Sequence, residues 1–415
     1  MTMRPAPLVI APAPFSRQPL KAIYITYVLI SILIRQPYWT LRYYLRLGVP
    51  YPRSWSLIEA LGAQSMRQMP RLLTQCDLRF NVSSRIELPS KPFRRCRALW
   101  VPPASDAWIK KGSIVDDEIV KVRRCPAYVY GKDHRGLGRM QVRKGEHVLL
   151  YFHGGANLIG NASELDGTAQ AVLQLLSRCS KTLHHALSVD YTKVGDLPFP
   201  AHLQDAISAY AYLVSDLGIP PSGILVGGDS AGGGVAMCLL RYLRDVMKVD
   251  EMPRATLLLS PACDLSGDLE KLPEIEQSEV VKLRASQDMM NRAVYKTYMV
   301  KRLLRHHPPS LLRSPYLSPA SPHIKPTPSL FKGFPRVFIT CGGIETFRHS
   351  IEELASRFRL GGVETTFHLE PDAVHDYVVI PFWNKASKAK TFDLIASWVN
   401  NQIFPAATKH VTAHM

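Results

Sequence analysis

A chain of 415 residues with 46% hydrophobic side chains can bury a large core, which excludes a disordered or fibrous class. Its net charge of +17 is uneven: residues 1–150 carry 25 Lys and Arg against 9 Asp and Glu, while the remainder carries 26 against 25. Seven cysteines, at positions 76, 96, 125, 179, 238, 263 and 341, are scattered without Cys-x-x-Cys spacing, which argues against a zinc site and leaves room for one disulfide of unassigned pairing.

The basicity belongs to the N-terminal third. No nucleic-acid motif accompanies it, so no nucleic-acid partner is expected. A membrane surface is the better match. Ala22–Ile34 is uncharged, with Lys21 before it and Arg35 after it, and Pro37, Tyr38, Trp39, Tyr43 and Tyr44 follow beside Arg42 and Arg46. Thirteen helical residues span roughly 20 Å, short of the ~30 Å hydrocarbon core. Residues 1–50 are therefore expected to form an anchor that is embedded in, or marginally crosses, a membrane. A cleaved signal peptide with secretion, and a buried core helix, are the alternatives. Two glycosylation sequons, Asn81-Val82-Ser83 and Asn161-Ala162-Ser163, matter only if those segments reach a secretory lumen.

From about residue 147 onward, strand and helix patterns alternate, which predicts a mostly parallel sheet covered on both faces by helices. Val148–Phe152 reads as a buried strand ending in His153-Gly154-Gly155-Ala156-Asn157. Two consecutive glycines let backbone N–H groups converge where a Cβ would obstruct, and this is close to an HGGG-type oxyanion loop. The expected donors are the N–H groups of Gly154 and Gly155, joined by that of Ala231, with His153 supporting the loop. A simple glycine turn after a strand is the competing reading.

The apolar run Ile224-Leu225-Val226 leads into Gly228-Asp229-Ser230-Ala231-Gly232 and then an apolar helical segment. Strand, glycine-flanked serine and helix in succession make a G-x-S-x-G nucleophile elbow, with Ser230 as nucleophile. Asp229 is expected to stabilise the elbow or its loop rather than transfer protons. Cys238 and Cys263 sit in apolar surroundings and read as small core residues.

Residues 267–332 break the alternation. They lack clean strands and carry Met289-Met290, a basic helical run near Lys301-Arg302 and a proline-rich stretch at 307–328. This reads as an insertion over the catalytic face, a helical cap shaping the substrate pockets. A surface loop is the alternative.

Chain order predicts an acid and then a histidine downstream of the serine. The strand 335–340 is followed by Cys341-Gly342-Gly343-Ile344-Glu345, and the alternating strand 364–369 leads into Pro371-Asp372-Ala373-Val374-His375-Asp376. His375 is the expected general base and Glu345 its orienter. Asp372 and Asp376 compete with Glu345, and His368, alternating within its strand, reads as structural.

Taken together, these residues resemble the hormone-sensitive-lipase-like branch of the α/β-hydrolases, which includes arylacetamide deacetylase. The resemblance runs from about Ala98 to Trp398. It also rests on Ser188-Val189-Asp190-Tyr191, Phe199-Pro200-Ala201, Asp205, Leu259–Leu265 and Ser314–Pro319. It implies an α/β-hydrolase fold and hydrolysis of acyl esters through an acyl-serine, with no metal or organic cofactor. It further implies that residues 51–95 add to the cap, so that the hydrolase domain covers 51–415. Lipophilic alcohols bearing short acyl groups are the implied substrates, and a membrane such as the endoplasmic reticulum the implied location. Three departures stand out: Ala156 in place of a third glycine, Thr192–Asp196 in place of the family's Arg-Leu-Ala-Pro-Glu, and Glu345 where aspartate is usual. A non-catalytic ligand receptor, an acyltransferase and an amide hydrolase are the alternatives on the same scaffold.

Overall fold

Successive residues of Val148–Phe152 divide between two cores: Val148, Leu150 and Phe152 pack on one side, Leu149 and Tyr151 on the other. Alternation of side chains along a strand produces this split, and an apolar residue at every position means that both faces of the sheet are covered. The computed structural model describes residues 12–48, 50–78, 87–89, 93–290 and 292–405. Its strands are β1 (Cys96–Val101), β2 (Cys125–Gly131), β3 (Val148–Phe152), β4 (His185–Val189), β5 (Ile224–Asp229), β6 (Ala255–Leu259), β7 (Val337–Gly342) and β8 (Thr365–Glu370). They form one sheet in the order β1-β2-β4-β3-β5-β6-β7-β8. β1 and β2 run antiparallel, as do β2 and β4; every other neighbouring pair is parallel. The mostly parallel sheet flanked by helices is thus present.

The helices, in chain order, are α1 (Leu20–Leu45), α2 (Leu57–Met66), α3 (Pro70–Cys76), α4 (Ala169–Arg178), α5 (Ala201–Ala211), α6 (Ala231–Tyr242), α7 (Pro273–Glu276), α8 (Glu279–Gln287), α9 (Arg292–Leu304), α10 (Arg348–Leu360) and α11 (Lys385–Trp398). α2 starts on a complete capping box: Ser56 Oγ accepts from the N–H of Glu59, and the Glu59 carboxylate accepts from the N–H of Ser56. α7 to α9 fall within the insertion at 267–332, where no strand occurs among the described residues.

The N-terminal helix is twice the length of its uncharged stretch, because it continues through Arg35 and Pro37 to Leu45. Arg35 is accommodated by a hydrogen bond from its Nη1 to Gln68 Oε1 at 3.2 Å. Pro37 lies on the exposed side of the helix. Val28, Ile32 and Trp39 pack with Leu72 into a small third core.

All seven cysteines are buried thiols. Asn161 is buried, and its Oδ1 accepts from the N–H and the hydroxyl of Ser163, so the second sequon is closed to a glycan. The sequon at Asn81 and residues 1–11 of the N-terminal segment lie outside the described residues.

Candidate active site

β5 ends at Asp229 and α6 begins at Ala231, leaving Ser230 alone in the turn with φ 49° and ψ −118°. A side chain in so sparsely populated a conformation costs about 1–3 kcal/mol, and the surrounding bonds sustain it. The Ser230 N–H donates to Leu259 O, and its carbonyl accepts from the N–H of Ala262, both at 2.8 Å. The turn also needs α6 to lie against β3. A Cβ on Gly232 would sit 2.0 Å from the carbonyl oxygen of Phe152, so only glycine permits that approach.

The hydroxyl of Ser230 lies 2.8 Å from His375 Nε2, and His375 Nδ1 lies 3.1 Å from Glu345 Oε1. The carboxylate fixes the tautomer: Nδ1–H donates to Glu345, which leaves Nε2 to accept the serine proton. Glu345 is itself held, since Oε2 accepts from Ser260 Oγ at 2.8 Å and from the N–H of Gly342 at 2.7 Å. All three side chains are buried. Burial pushes the His375 imidazole down, but the Glu345 hydrogen bond and charge, with Asp288 and Asp229 nearby, outweigh it and leave the pKa above its ordinary value. Asp372 lies apart from this chain, accepting from Ser54 Oγ, and His368 contacts Thr391.

The oxyanion loop differs from expectation at one residue. The Gly154 N–H donates to Asp229 Oδ2 at 2.9 Å, and so cannot also face a substrate oxygen. The reason is spatial: the Asp229 carboxylate, at the end of β5 beside β3, competes for the nearest amide. The N–H groups of Gly155, Ala156 and Ala231 have no protein acceptor among the described residues. These three residues line the cavities beside Ser230. Ala231 opens α6, whose positive dipole end faces the same space. Gly155 has φ +110°, and a Cβ there would meet Ile159 O at 2.3 Å.

Polar groups buried beneath the loop hold it in place. His153 Nδ1–H donates to Gly154 O at 2.6 Å, while its Nε2 accepts from Lys193 Nζ at 2.8 Å. Lys193 also donates to Asp190 Oδ1 and Tyr191 O. Burial raises the Asp229 and Asp376 carboxyls, and a hydrogen bond between the two raises Asp376 further, well above the usual carboxylate range. Tyr151 donates its hydroxyl to Asp229 Oδ1 at 2.7 Å.

Two cavities meet at Ser230. One, of about 60 Å³, is narrow and apolar, with Ala262, Leu265, Met299 and Phe347 in its wall. The other, of about 260 Å³, opens between the oxyanion loop and His375 and is lined by Met66, Met289, Val379 and Ile380. A larger cavity of about 670 Å³ lies along β1 and shares no residue with this region. Asp117, His306 and His307 bring three ligand atoms within 4.8 Å of one another, away from Ser230. They are already engaged: Asp117 accepts from the Ile119 and Val120 amides and pairs with His306, and His307 Nε2 meets Phe199 O.

Sequence reasoning missed two residues. Asp288, fully buried, accepts from the N–H of His375 at 3.0 Å and from that of Thr346 at 2.8 Å, joining the loops that carry the histidine and the acid. It lies in the stretch without strand periodicity, where pattern gives no signal. Lys193 falls where the chain departs from the family pattern, and that departure was the available signal.

A protein-family profile described as the alpha/beta hydrolase fold matches residues 149–379. An acetyl-hydrolase of Streptomyces hygroscopicus is 28% identical over 233 residues, 56% of this chain and 69% of that protein. Esterase LipU of Mycobacterium tuberculosis is 26% identical over 246 residues, 59% of this chain and 75% of the relative. Among solved structures, esterase LipW of Mycobacterium marinum superposes with a TM-score of 0.54 at 23% identity, over 75% of this chain and 82% of that one, a likeness of fold.

Proposed function

We propose that this chain, which belongs to the alpha/beta hydrolase fold family, is a carboxylic-ester hydrolase that cleaves esters through an acyl intermediate on Ser230. The observation that carries the reading is the continuous hydrogen-bonded chain Ser230–His375–Glu345 beside three unengaged amides. His375 Nε2 takes the hydroxyl proton as Ser230 Oγ attacks the ester carbonyl carbon. The carbonyl π pair moves onto oxygen, which rests against the N–H groups of Gly155, Ala156 and Ala231. Each such donor contributes about 2.7–4 kcal/mol to the transition state. When the tetrahedral species collapses, the alcohol leaves with the proton held by His375. Water then attacks the acyl-serine, His375 takes its proton, and collapse returns that proton to Ser230 Oγ and releases the acid. Glu345 holds the imidazole and stabilises its charged form.

The cavity sizes support a short acyl group on a larger, lipophilic alcohol. The narrow apolar cavity suits a small acyl chain, and the wider one suits the alcohol. α2 and the segment that follows α8 supply Met66, Met289 and Met290 to these walls, which supports their reading as a cap drawn from residues 51–95 and 267–332. The 26-residue apolar helix α1 meets the length and composition of a membrane span or signal sequence. It supports a membrane-associated enzyme whose substrates partition into lipid.

Hydrolysis of p-nitrophenyl esters from acetate to palmitate by the wild type and by Ser230→Ala tests the reading. Turnover that depends on Ser230 and is fastest for the short acyl esters is expected. A palmitate optimum would refute the small acyl pocket, and turnover retained by Ser230→Ala would refute the nucleophile.

A further inference from the structure

Helix α1 has two apolar faces. One is closed: Val28, Ile32 and Trp39 are buried against Leu72, with Leu61 and Met69 packed beside them. The other is open, with Ile23, Tyr27, Ile30, Ile34, Leu41 and Leu45 all exposed. These six recur at intervals of three or four residues, except where Pro37 and Tyr38 continue the stripe, so they form one line along the helix. Ile34 keeps 71% of its surface exposed, and a contiguous apolar stripe of this kind marks an interaction surface. The open face carries no charged residue.

The closed face decides how such a helix can meet a bilayer. Its attachments run nearly end to end. Just before the helix, the Phe15 N–H donates to Gln75 O at 2.8 Å; near its middle, Gln36 Nε2 donates to Ser65 Oγ at 3.0 Å and Arg35 to Gln68; towards its end, the Tyr43 hydroxyl donates to Trp55 O at 2.8 Å. A helix crossing the membrane would draw α2 and α3 in with it, together with Arg67, Arg71, Gln64 and Gln68, which hydrocarbon does not tolerate. A helix lying in the plane keeps these contacts and immerses only the open stripe.

Charge identifies the surface. The first acidic residue of the chain is Glu59, and seven Lys or Arg precede it. Arg17, Arg46 and Arg53 are exposed at either end of the helix and just beyond it. Basic groups flanking an uncharged apolar stripe complement anionic headgroups around an apolar boundary.

We infer that α1 docks the enzyme flat on an anionic phospholipid bilayer through the Ile23-to-Leu45 stripe, without crossing it. Embedding this stripe places α2 directly above the lipid. Met66, at the end of α2, lines the wider cavity beside Ser230. Lipophilic esters would thus enter from the membrane side. This use of the surface rests on the esterase reading, whereas the docking geometry does not.

The full chain is tested by flotation with vesicles of phosphatidylcholine alone and of phosphatidylcholine and phosphatidylserine in equal parts. Binding to the mixed vesicles that weakens with salt is expected, and Ile30→Glu/Ile34→Glu should lower it by roughly tenfold or more while p-nitrophenyl acetate turnover stays at the wild-type level. Nitroxide labels at Ile23→Cys, Ile34→Cys and Leu45→Cys should report one shallow depth. A deep central label between two interfacial ones would mean a spanning helix and overturn the proposal. So would failure of the wild type to float, or dimerisation through the stripe in place of flotation. Normal flotation by a protein with no esterase activity would refute the catalytic reading and leave the docking surface standing.

Discussion

Asp288 Oδ1 accepts a hydrogen bond from the backbone N–H of His375 at 3.0 Å, and its other oxygen accepts from the N–H of Thr346, the residue after Glu345. One buried carboxylate of the insertion therefore joins the loop of His375 to that of Glu345. It also supplies negative charge that raises the His375 pKa.

Asp288→Ala should lower kcat by roughly 10²-fold, the scale of a misplaced catalytic group, with little change in KM. Asp288→Asn keeps one acceptor and removes the charge, so it should recover part of kcat while moving the acidic limb of the pH profile downward. A structural loss alone would leave the position of that limb unchanged. Steady-state kinetics between pH 5 and pH 9 distinguish the two.

The pH profile of the wild type follows from His375. Catalysis needs the neutral imidazole, so kcat/KM falls as pH drops through its pKa. That pKa is raised, which places the acidic limb above the ordinary histidine value of about 6.5. Glu345→Gln removes the dominant raising influence and should shift the limb to lower pH while reducing kcat. A limb that does not move would exclude His375 as the titrating base.

The oxyanion loop offers a sharper substitution. Gly155→Ala adds a Cβ 2.3 Å from Ile159 O at a φ of +110°, so the loop must shift. A loss of roughly 10²–10³ in kcat is expected, the cost of removing one oxyanion donor, with KM near the wild-type value.

Asp376 governs a dependence of stability on pH. Its carboxyl is buried beside Asp229 and its pKa is raised well above the ordinary value. A raised folded-state pKa contributes stability that is fully present below the unfolded value and is lost as pH rises towards the folded one. Asp376→Asn removes the titration, so it should raise Tm more at pH 8 than at pH 4. Thermal unfolding of both proteins at the two pH values measures this, and an equal change at both would contradict it.

The sheet and the turn at Ser230 were legible because strand alternation, glycine placement and chain order are local or ordered signals. Val148–Phe152 and the strands before Glu345 and His375 lie within one or two residues of their expected bounds. Gly154 departs from the expected donor set because its amide is claimed by Asp229, 75 residues away in sequence, and pairing at that range leaves no local trace. Asp288 sits where no period exists. The uncharged stretch of the N-terminal helix ends at Arg35 in sequence, yet Gln68 accepts from Arg35 and the helix continues through Pro37 to Leu45, a pairing that the local pattern does not carry.

The central claim is that Ser230 is the nucleophile, and covalent trapping tests it most directly. Incubation with a p-nitrophenyl phosphonate ester should release one equivalent of p-nitrophenol. Peptide mass mapping should then place a single phosphonyl adduct on Ser230, absent from Ser230→Ala and formed slowly by His375→Ala. An adduct on another residue, or an active enzyme that forms none, would contradict the account.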